Sequence, residues 1–308
     1  MTDTQPYTEY LHDKLSNENF QKLLKEYSNR KPFIVFIGAG LSKIPGLPSW
    51  DELLKKLCNA GSLKYSNLTG KYWDKASQIE ESFNSNPNNM YDVLRNILDP
   101  IQTSATHLHH LLLGSKFNSI ITTNYDDVLR SLNSKNRFNC EVQIFPDLNP
   151  TRLTQKEIIY FHGNIYESDD IIFTKAQYDE AYINNYENLK DLLELAYWHN
   201  SIVFIGFSFD DEYFKSLYNR VKKETKKYTG NVRDKAPPDY IIFDVPYTDD
   251  SEIDTVEYDI RIKDFGEELE LNTIAYLRKR GGYINLEKLF QVLVNSIPDE
   301  IQLQAEFR

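Results

Sequence analysis

The chain is poor in cysteine, with only Cys58 and Cys140 among its 308 residues. Two cysteines exclude a four-cysteine zinc site and a disulfide framework. No apolar run approaches the length that a membrane span requires, and the polar start of the sequence lacks the apolar stretch of a signal peptide. We therefore expect a cytoplasmic protein that does not act at a membrane.

Positive charge is also scarce. Lys and Arg number 35 against 46 Asp and Glu, which gives a formal net charge of −11. This excess of acidic residues argues against a broad nucleic-acid-binding surface, although it is compatible with a partner that binds nucleic acid. The basic stretch 221–228 is expected to be the solvated end of a helix.

Short apolar segments alternate with helical patterns along the chain, and no linker or internal repeat divides it. The predicted strands are 33–37, 117–124, 141–145, 157–163, 201–208, 239–245 and 272–277. This alternation predicts an α/β fold of the Rossmann-like, doubly wound class with a mainly parallel sheet. We expect a single domain with an N-terminal helical segment (1–30), a core (31–245), an inserted helical module (49–113) and a C-terminal strand and helix (246–308).

A glycine turn, Gly38-Ala39-Gly40-Leu41-Ser42, follows the first predicted strand. It is either an ordinary tight turn or a phosphate site, because glycine lets the backbone turn sharply and helix N–H groups beyond it suit an anion. A dinucleotide fingerprint would need glycine at the position of Lys43, and a P-loop would need Gly-Lys-Ser/Thr after the turn. The sequence therefore disfavours a conventional dehydrogenase and a P-loop enzyme.

Other strand ends also carry small, polar or titratable residues: Thr122–Asp126, His162-Gly163 and Gly206–Ser208. Each has a simpler explanation on its own, since Asn124 or Asp126 could cap a helix, His162 could be a satisfied histidine and Gly206 could serve a turn. Carboxyl ends of parallel strands share one edge, where open α/β sheets bind ligands. Four such segments in series predict a ligand site at that edge.

These residues resemble the motifs of the sirtuins, and especially of the sirtuin-like NAD hydrolases of bacterial antiviral defence. The family patterns Gly-Ala-Gly-x-Ser, Gly-Ile-Pro, Thr-Gln-Asn-Ile-Asp, His-Gly and Gly-Thr-Ser correspond, in order, to residues 38–42, 46–48, 122–126, 162–163 and 206–208. Four positions differ: Leu47 and Tyr125 stand in the place of Ile, Thr123 in that of Gln and Phe207 in that of Thr. Protein-deacylating sirtuins continue with Asp-Phe-Arg where this chain has Ser49, Trp50 and Asp51, and they carry a four-cysteine zinc module that this chain lacks. The resemblance thus implies an NAD-binding core with NAD as substrate, no metal, and no acyl-lysine groove.

The resemblance also implies a role for each site residue. Asn124 would hold the reactive ribose or its attacking water, and His162 would accept a proton. The other residues would bind NAD: Gly38, Ala39, Gly40 and Ser42 at the diphosphate, Asp126 at the nicotinamide, Trp50 over the ribose, and Gly206 and Ser208 on the adenosine side. Asp244 ends a strand where the family often has Asn near a ribose. Trp50 could instead pack in the core at a helix start.

The function implied by the resemblance is an NAD+ hydrolase that releases nicotinamide and ADP-ribose as the effector of an abortive-infection system. Two alternatives stay open: a module that binds NAD or ADP-ribose without turnover, and a deacylase or ADP-ribosyltransferase. We expect control by self-assembly or by a sensor partner such as a hexameric DNA-translocating ATPase, a short argonaute or another defence protein. Apolar stripes on the first and last helices could supply the contact unless both pack on the core: Phe20, Leu23, Leu24 and Tyr27, and Leu286, Leu289, Phe290 and Val294.

Overall fold

The computed structural model describes residues 7–29, 31–84, 89–99, 105–153, 156–167, 170–229, 237–248, 252–278 and 283–296. Seven strands form one sheet in which every pairing is parallel. They are β1 Phe33–Ile37, β2 Ser119–Thr122, β3 Glu141–Ile144, β4 Glu157–Tyr160, β5 Ser201–Ile205, β6 Tyr240–Asp244 and β7 Asn272–Tyr276. The predicted α/β, Rossmann-like fold is confirmed.

The strand order is β3-β4-β2-β1-β5-β6-β7, so β1 lies at the centre of the sheet. Val35 of β1 pairs with Ile120 on one side and with Val203 on the other. Both β1 and β5 are buried along their whole length, which explains their nearly continuous apolar sequences, FIVFI and SIVFI. The chain moves outward in opposite directions from β1, and this reversal creates a crevice at the carboxyl edge of the sheet.

The described helices are α1 Lys14–Ser28, α2 Ala39–Ser42, α3 Trp50–Ala60, α4 Tyr72–Phe83, α5 Met90–Ile97, α6 His107–Gly114, α7 Val128–Asn136, α8 Lys175–Asp179, α9 Glu187–His199, α10 Glu212–Thr229, α11 Thr255–Ile262 and α12 Ile284–Asn295. Wider π-helical turns continue α8 over Glu180–Asn184 and α11 over Lys263–Glu268. None of these described helices has the length and apolar character needed to cross a membrane.

The helices cover both faces of the sheet. Alternate side chains of β1 point to opposite faces, so Val35 joins a core with α1, α6, α7 and α12, while Phe36 joins a core with α9 and α10. The apolar stripes of the first and last helices pack into the first of these cores, where Phe20, Leu23, Leu289 and Phe290 are fully buried. Neither stripe is therefore an exposed face for self-assembly, and the alternative that both pack on the core is the one that the structure shows.

The helices between β1 and β2 divide into two groups. The apolar residues of α3, α4 and α5 form a third core that packs on segments following β2 and β4, through Tyr125 and Phe173 among others. In contrast, α6 packs directly on the sheet with α7 and α12. The part of the predicted module that stands beyond the edge of the sheet is therefore α3 to α5.

One residue differs from the sequence-based expectation, and parts of the predicted segments lie outside the described residues. Within the basic stretch of α10, Lys222 is buried and its ammonium donates to the carbonyl oxygen of Leu269, so this position is not solvated. Residues 1–6 of the predicted N-terminal segment, residues 100–104 of the predicted helical module and residues 297–308 of the predicted C-terminal segment lie outside the described residues.

Candidate active site

A cleft of about 730 Å³ crosses the carboxyl edge of the sheet, within the size range of ordinary ligand sites. Its walls come from the segments that follow β1, β4, β5 and β6, with additional residues from α3, α4 and α11. Eight of the eleven predicted site residues line it: Gly38, Ala39, Gly40, Trp50, His162, Gly206, Ser208 and Asp244. The remaining three, Ser42, Asn124 and Asp126, lie behind the glycine turn.

The glycine turn is held directly against the turn that follows β5. Gly38 donates its N–H to the carbonyl oxygen of Ile205 at 3.0 Å, and Gly40 donates to that of Gly206 at 2.9 Å. A Cβ atom at Gly38 would lie 2.4 Å from the Gly206 oxygen, and one at Gly40 would lie 2.8 Å from the Gly206 Cα. Glycine is thus required here by the close approach of two backbones, and the N–H of Gly40 already has its acceptor.

Asn124, Ser42 and Asp126 form a hydrogen-bonded chain that ties the glycine turn to the end of β2. The Asn124 amide donates to the Gly38 carbonyl oxygen at 3.1 Å and to the Ser42 hydroxyl at 2.7 Å. The Ser42 hydroxyl in turn donates to Oδ2 of Asp126 at 2.6 Å, and the Val128 N–H donates to Oδ1 at 3.1 Å. Burial raises the pKa of Asp126, although both of these donors lower it. In this arrangement the three side chains fix the position of the turn.

His162 follows β4 and is only 2 % exposed. Its Nε2 atom hydrogen-bonds with the Tyr182 hydroxyl at 2.5 Å and lies 3.9 Å from Oδ2 of Asp211. The rings of Tyr125 and Tyr178 also pack against the imidazole, with centroid distances of 6.5 and 5.6 Å. Burial lowers the pKa of His162 to about 3, so the ring is neutral at physiological pH. A neutral imidazole at the wall of a cleft can accept a proton.

Three residues beside His162 were missed by the sequence reasoning, namely Asp211, Tyr178 and Tyr182. Asp211 lies three residues beyond Ser208, so reading the strand end slightly further would have found it. Burial raises the pKa of its carboxyl group to about 6, against hydrogen bonds from the Phe214 N–H at 3.0 Å and the Tyr178 hydroxyl at 3.1 Å. Tyr182 reaches His162 from the π-helical turn after α8, and nothing in the sequence indicates that geometry.

Trp50 packs on neighbouring aromatic side chains and also lines the cleft. Its ring stacks on Phe173 and Tyr72, with centroid distances of 5.2 and 5.9 Å, and its edge forms part of the cleft wall. The ring stands at the start of α3, where Ser49 and Glu52 form a capping box that fixes the helix terminus. Trp50 is therefore a packed residue that also faces the cleft.

The far end of the cleft lies past β5 and carries charged groups. Asp244 ends β6, and its carboxylate accepts a hydrogen bond from Arg278 at 3.3 Å. The Arg261 guanidinium donates to the Asp244 carbonyl oxygen at 3.4 Å. Gly206 and Ser208 lie between this end and the His162 end. Among the residues that the structure describes, no group of three or more His, Cys, Asp or Glu could hold a metal ion.

A family model described as the SIR2-like domain matches residues 118–259. This segment contains the strand-end motifs around Asn124, His162 and Gly206, and it begins after the glycine turn and the α3–α5 helices.

Curated relatives match a larger part of the chain. The NAD(+) hydrolase ThsA of Acinetobacter baumannii (strain 532279) is 26 % identical over 205 residues, which cover 65 % of this chain and 41 % of the relative. ThsA of Bacillus cereus (strain MSX-D12) is 25 % identical over 223 residues, or 69 % of this chain and 46 % of the relative. Defense-associated sirtuin 2 of Bacillus subtilis is 23 % identical over 210 residues, or 67 % of this chain and 21 % of the relative.

The matches span less than half the length of each of these relatives. Within that span they agree with the resemblance drawn from the strand-end motifs. The chain thus contains a SIR2-like domain and is homologous to NAD(+) hydrolases named ThsA and to a defence-associated sirtuin.

Proposed function

We propose that this protein hydrolyses the bond between nicotinamide and ribose in NAD+, giving nicotinamide and ADP-ribose. The observation that carries the proposal is the neutral, buried imidazole of His162 at the wall of a cleft that crosses the switch point of the sheet. The names of the relatives, NAD(+) hydrolases, support the same reaction.

The proposed chemistry needs a proton acceptor and no acid. The C1′–N bond breaks with its electron pair passing to the nicotinamide nitrogen, which turns a cationic ring into a neutral leaving group. The oxygen of a water molecule bonds to C1′, and His162 accepts a proton from that water and later releases it to solvent. The positive charge that develops on the ribose is best stabilised by negative or dipolar groups already fixed in the cleft.

In this proposal NAD lies along the cleft with its ends on opposite sides of β1 and β5. The reactive ribose would lie by His162 and Trp50, with the diphosphate against the glycine turn and the adenosine near Ser208 and Asp244. Asn124 and Ser42 fix that turn through the hydrogen bonds described above. The proposed contacts of Asn124 with the ribose or water, of Ser42 with the diphosphate and of Asp126 with the nicotinamide would add to those bonds.

We further propose a role in antiviral defence, in which hydrolysis depletes cytoplasmic NAD and causes abortive infection. The defence assignment follows the name of the Bacillus subtilis relative. An NAD-depleting activity must be silent in healthy cells, so we propose that self-assembly or a partner in trans controls it. The candidates are a hexameric DNA-translocating ATPase, a short argonaute or another defence protein.

The test is an assay in which the purified chain is incubated with NAD+, alone and with candidate partners. The nicotinamide and ADP-ribose that are released are measured by chromatography. The parent chain should release nicotinamide and ADP-ribose in equal amounts without an acylated peptide, and His162→Ala should release about 10²–10⁴-fold less. His199→Ala is the matched control, because this exposed histidine ends α9 at the opposite edge of the sheet and should leave the rate unchanged. Binding of NAD without release would favour the binding module, and release that requires an acylated peptide or a protein acceptor would favour a transferase.

A further inference from the structure

Asp211 places a carboxylate beside His162 that the motif-based assignment does not use. Its backbone carbonyl accepts the first hydrogen bond of α10, from Lys215, and its Oδ1 accepts the Phe214 N–H at 3.0 Å, as in an ordinary helix cap. The other oxygen, Oδ2, accepts a hydrogen bond from the Tyr178 hydroxyl at 3.1 Å and lies 3.9 Å from Nε2 of His162.

The groups that face the imidazole make this carboxylate electrostatically important. Tyr125, Tyr178 and Tyr182 surround the ring, and burial raises the pKa of each tyrosine well above its usual value. They therefore stay uncharged at neutral pH. The carboxyl group of Asp211, with a pKa raised to about 6 by burial, is mostly ionised at pH 7 and places a negative charge 3.9 Å from Nε2 of the ring.

Burial makes protonation of the imidazole unfavourable, and the negative charge of Asp211 counteracts this effect. The pKa of His162 is lowered to about 3 because a charged ring is poorly solvated there, so proton acceptance is unfavourable without a compensating charge. An opposite charge about 4 Å away favours the protonated ring. The same arrangement, in which a carboxylate supports a histidine base, recurs in unrelated enzymes.

Building on the proposed function, we propose that Asp211 is a positioning residue that stabilises the imidazolium form of His162 during hydrolysis of NAD+. As the C1′–N bond breaks and its electron pair passes to nicotinamide, the water oxygen bonds to C1′. The water proton moves to His162, whose new positive charge lies beside the Asp211 carboxylate. The proton then leaves to solvent and the pair returns to a neutral ring and an ionised carboxylate.

The first test is Asp211→Asn, which keeps the size of the side chain and an oxygen to cap α10. The turnover number kcat should fall about 10–100-fold while KM stays within about threefold, because the lost charge acts on the transition state. The kcat of the parent should also fall as the pH drops through about 6, where Asp211 takes a proton, whereas the variant should be flat across this range. Glu224→Gln removes the same charge from a site further along α10, where Glu224 is paired with Lys190, and should match the parent.

A second variant changes the carboxyl group without removing it. The Tyr178 hydroxyl lowers the pKa of Asp211, so Tyr178→Phe should raise that pKa and move the acidic limb of the kcat profile to higher pH. A purely structural role for Asp211 would not move this limb. A parent and an Asp211→Asn variant with equal kcat and the same pH profile would overturn the inference and leave the proposed function intact.

A measurement that does not depend on turnover distinguishes the inference about Asp211 from the proposed function. The ring nitrogen signals of His162, assigned by their loss in His162→Ala, should shift in the parent as the pH falls through about 6 and should not shift there in Asp211→Asn. Signals that stay still in the parent overturn the inference whatever the activity. If they shift while the parent releases no nicotinamide with any partner, the electrostatic pairing stands and the proposed function fails.

Discussion

Gly40 donates its backbone N–H to the carbonyl oxygen of Gly206 at 2.9 Å and thereby joins the ends of β1 and β5. The two residues are far apart in the sequence and meet because β1 and β5 pair along their whole length. Gly206 has a φ of +61°, and a Cβ atom there would lie 2.6 Å from the backbone nitrogen of Leu41. The floor of the cleft is therefore built from backbone that tolerates no side chain at these points.

We expect Gly40→Ala to destabilise the protein by at least about 2 kcal/mol, because the added methyl group would lie 2.8 Å from the Gly206 Cα and only backbone movement could relieve the collision. The measurement is the denaturant midpoint of unfolding. Gly40→Val should lose stability for the same reason, and its side chain would also fill the space proposed for the diphosphate, so NAD binding should fail.

Gly114→Ala is the matched control, since this glycine also lies in a helix and its nearest contact for a Cβ would be 3.9 Å away. Replacing a helical glycine with alanine at an open position should stabilise by roughly 0.5–1 kcal/mol. The two substitutions should thus have opposite signs. Equal unfolding midpoints for Gly40→Ala and the parent would show that the turn can move away from Gly206.

The sequence predicted the edge of the sheet where the site lies but not how its residues contact one another. His162 and Gly206 were predicted correctly to face one cleft, because the carboxyl ends of parallel strands share an edge and apolar runs reveal where strands end. The glycines were interpreted as room for a diphosphate. Glycine is required at these positions because the backbones that follow β1 and β5 approach closely, which depends on the pairing of these two strands. A local motif carries no information about which distant strand it will pair with.

The residues that contact His162 also could not be predicted from the sequence. Tyr182 reaches the ring from a π-helical turn, in which the usual helical spacing of side chains does not hold. The hydroxyl of Ser42 was predicted to face the ligand, yet it donates to Asp126 behind the glycine turn. Motif matching selected residues that lie at one edge of the sheet, whereas the direction of each side chain depends on neighbours far away in the chain.

We expect His162→Ala and Asn124→Ala each to lower the kcat of nicotinamide release by about 10²–10⁴-fold with NAD binding within a few-fold of the parent. The double variant should be little worse than either single one, because residues that act as a unit are not additive. Steady-state kinetics and calorimetric titration with ADP-ribose measure the two quantities. Near-normal turnover by His162→Ala would exclude the proposed mechanism.

Asp244→Ala should behave differently, since β6 lies four strand spacings from β4, roughly 19 Å across the sheet. We expect KM to rise roughly tenfold while kcat changes little, because the adenosine end would contribute equally to binding of substrate and transition state. Combined with His162→Ala, its effect on kcat/KM should be additive. Asp259→Ala on the exposed side of α11 is the control. A fall in kcat with unchanged KM would place Asp244 at the reacting end instead.

Acid sensitivity should come partly from His109, which lies outside the cleft. This buried residue caps α6, where its Nδ1 accepts the Thr106 N–H at 3.2 Å. Burial lowers its pKa from 6.5 to about 4, so the unfolded chain binds a proton more readily between these values. The stability that this group contributes is thus complete above pH 6.5 and is lost as the pH falls toward 4. At about 1.4 kcal/mol per pKa unit, the loss amounts to about 3 kcal/mol.

His109→Gln should reduce this loss, because glutamine does not titrate and is the usual partner of a threonine cap at that position of a helix. The free energy of unfolding, measured by denaturant titration at several pH values, should fall less steeply from pH 6.5 to 4 in the variant than in the parent. His199→Gln changes an exposed histidine at the end of α9 and should leave the slope of the parent unchanged. If His109→Gln and the parent lose stability in parallel across this range, the proton that drives acid unfolding binds elsewhere.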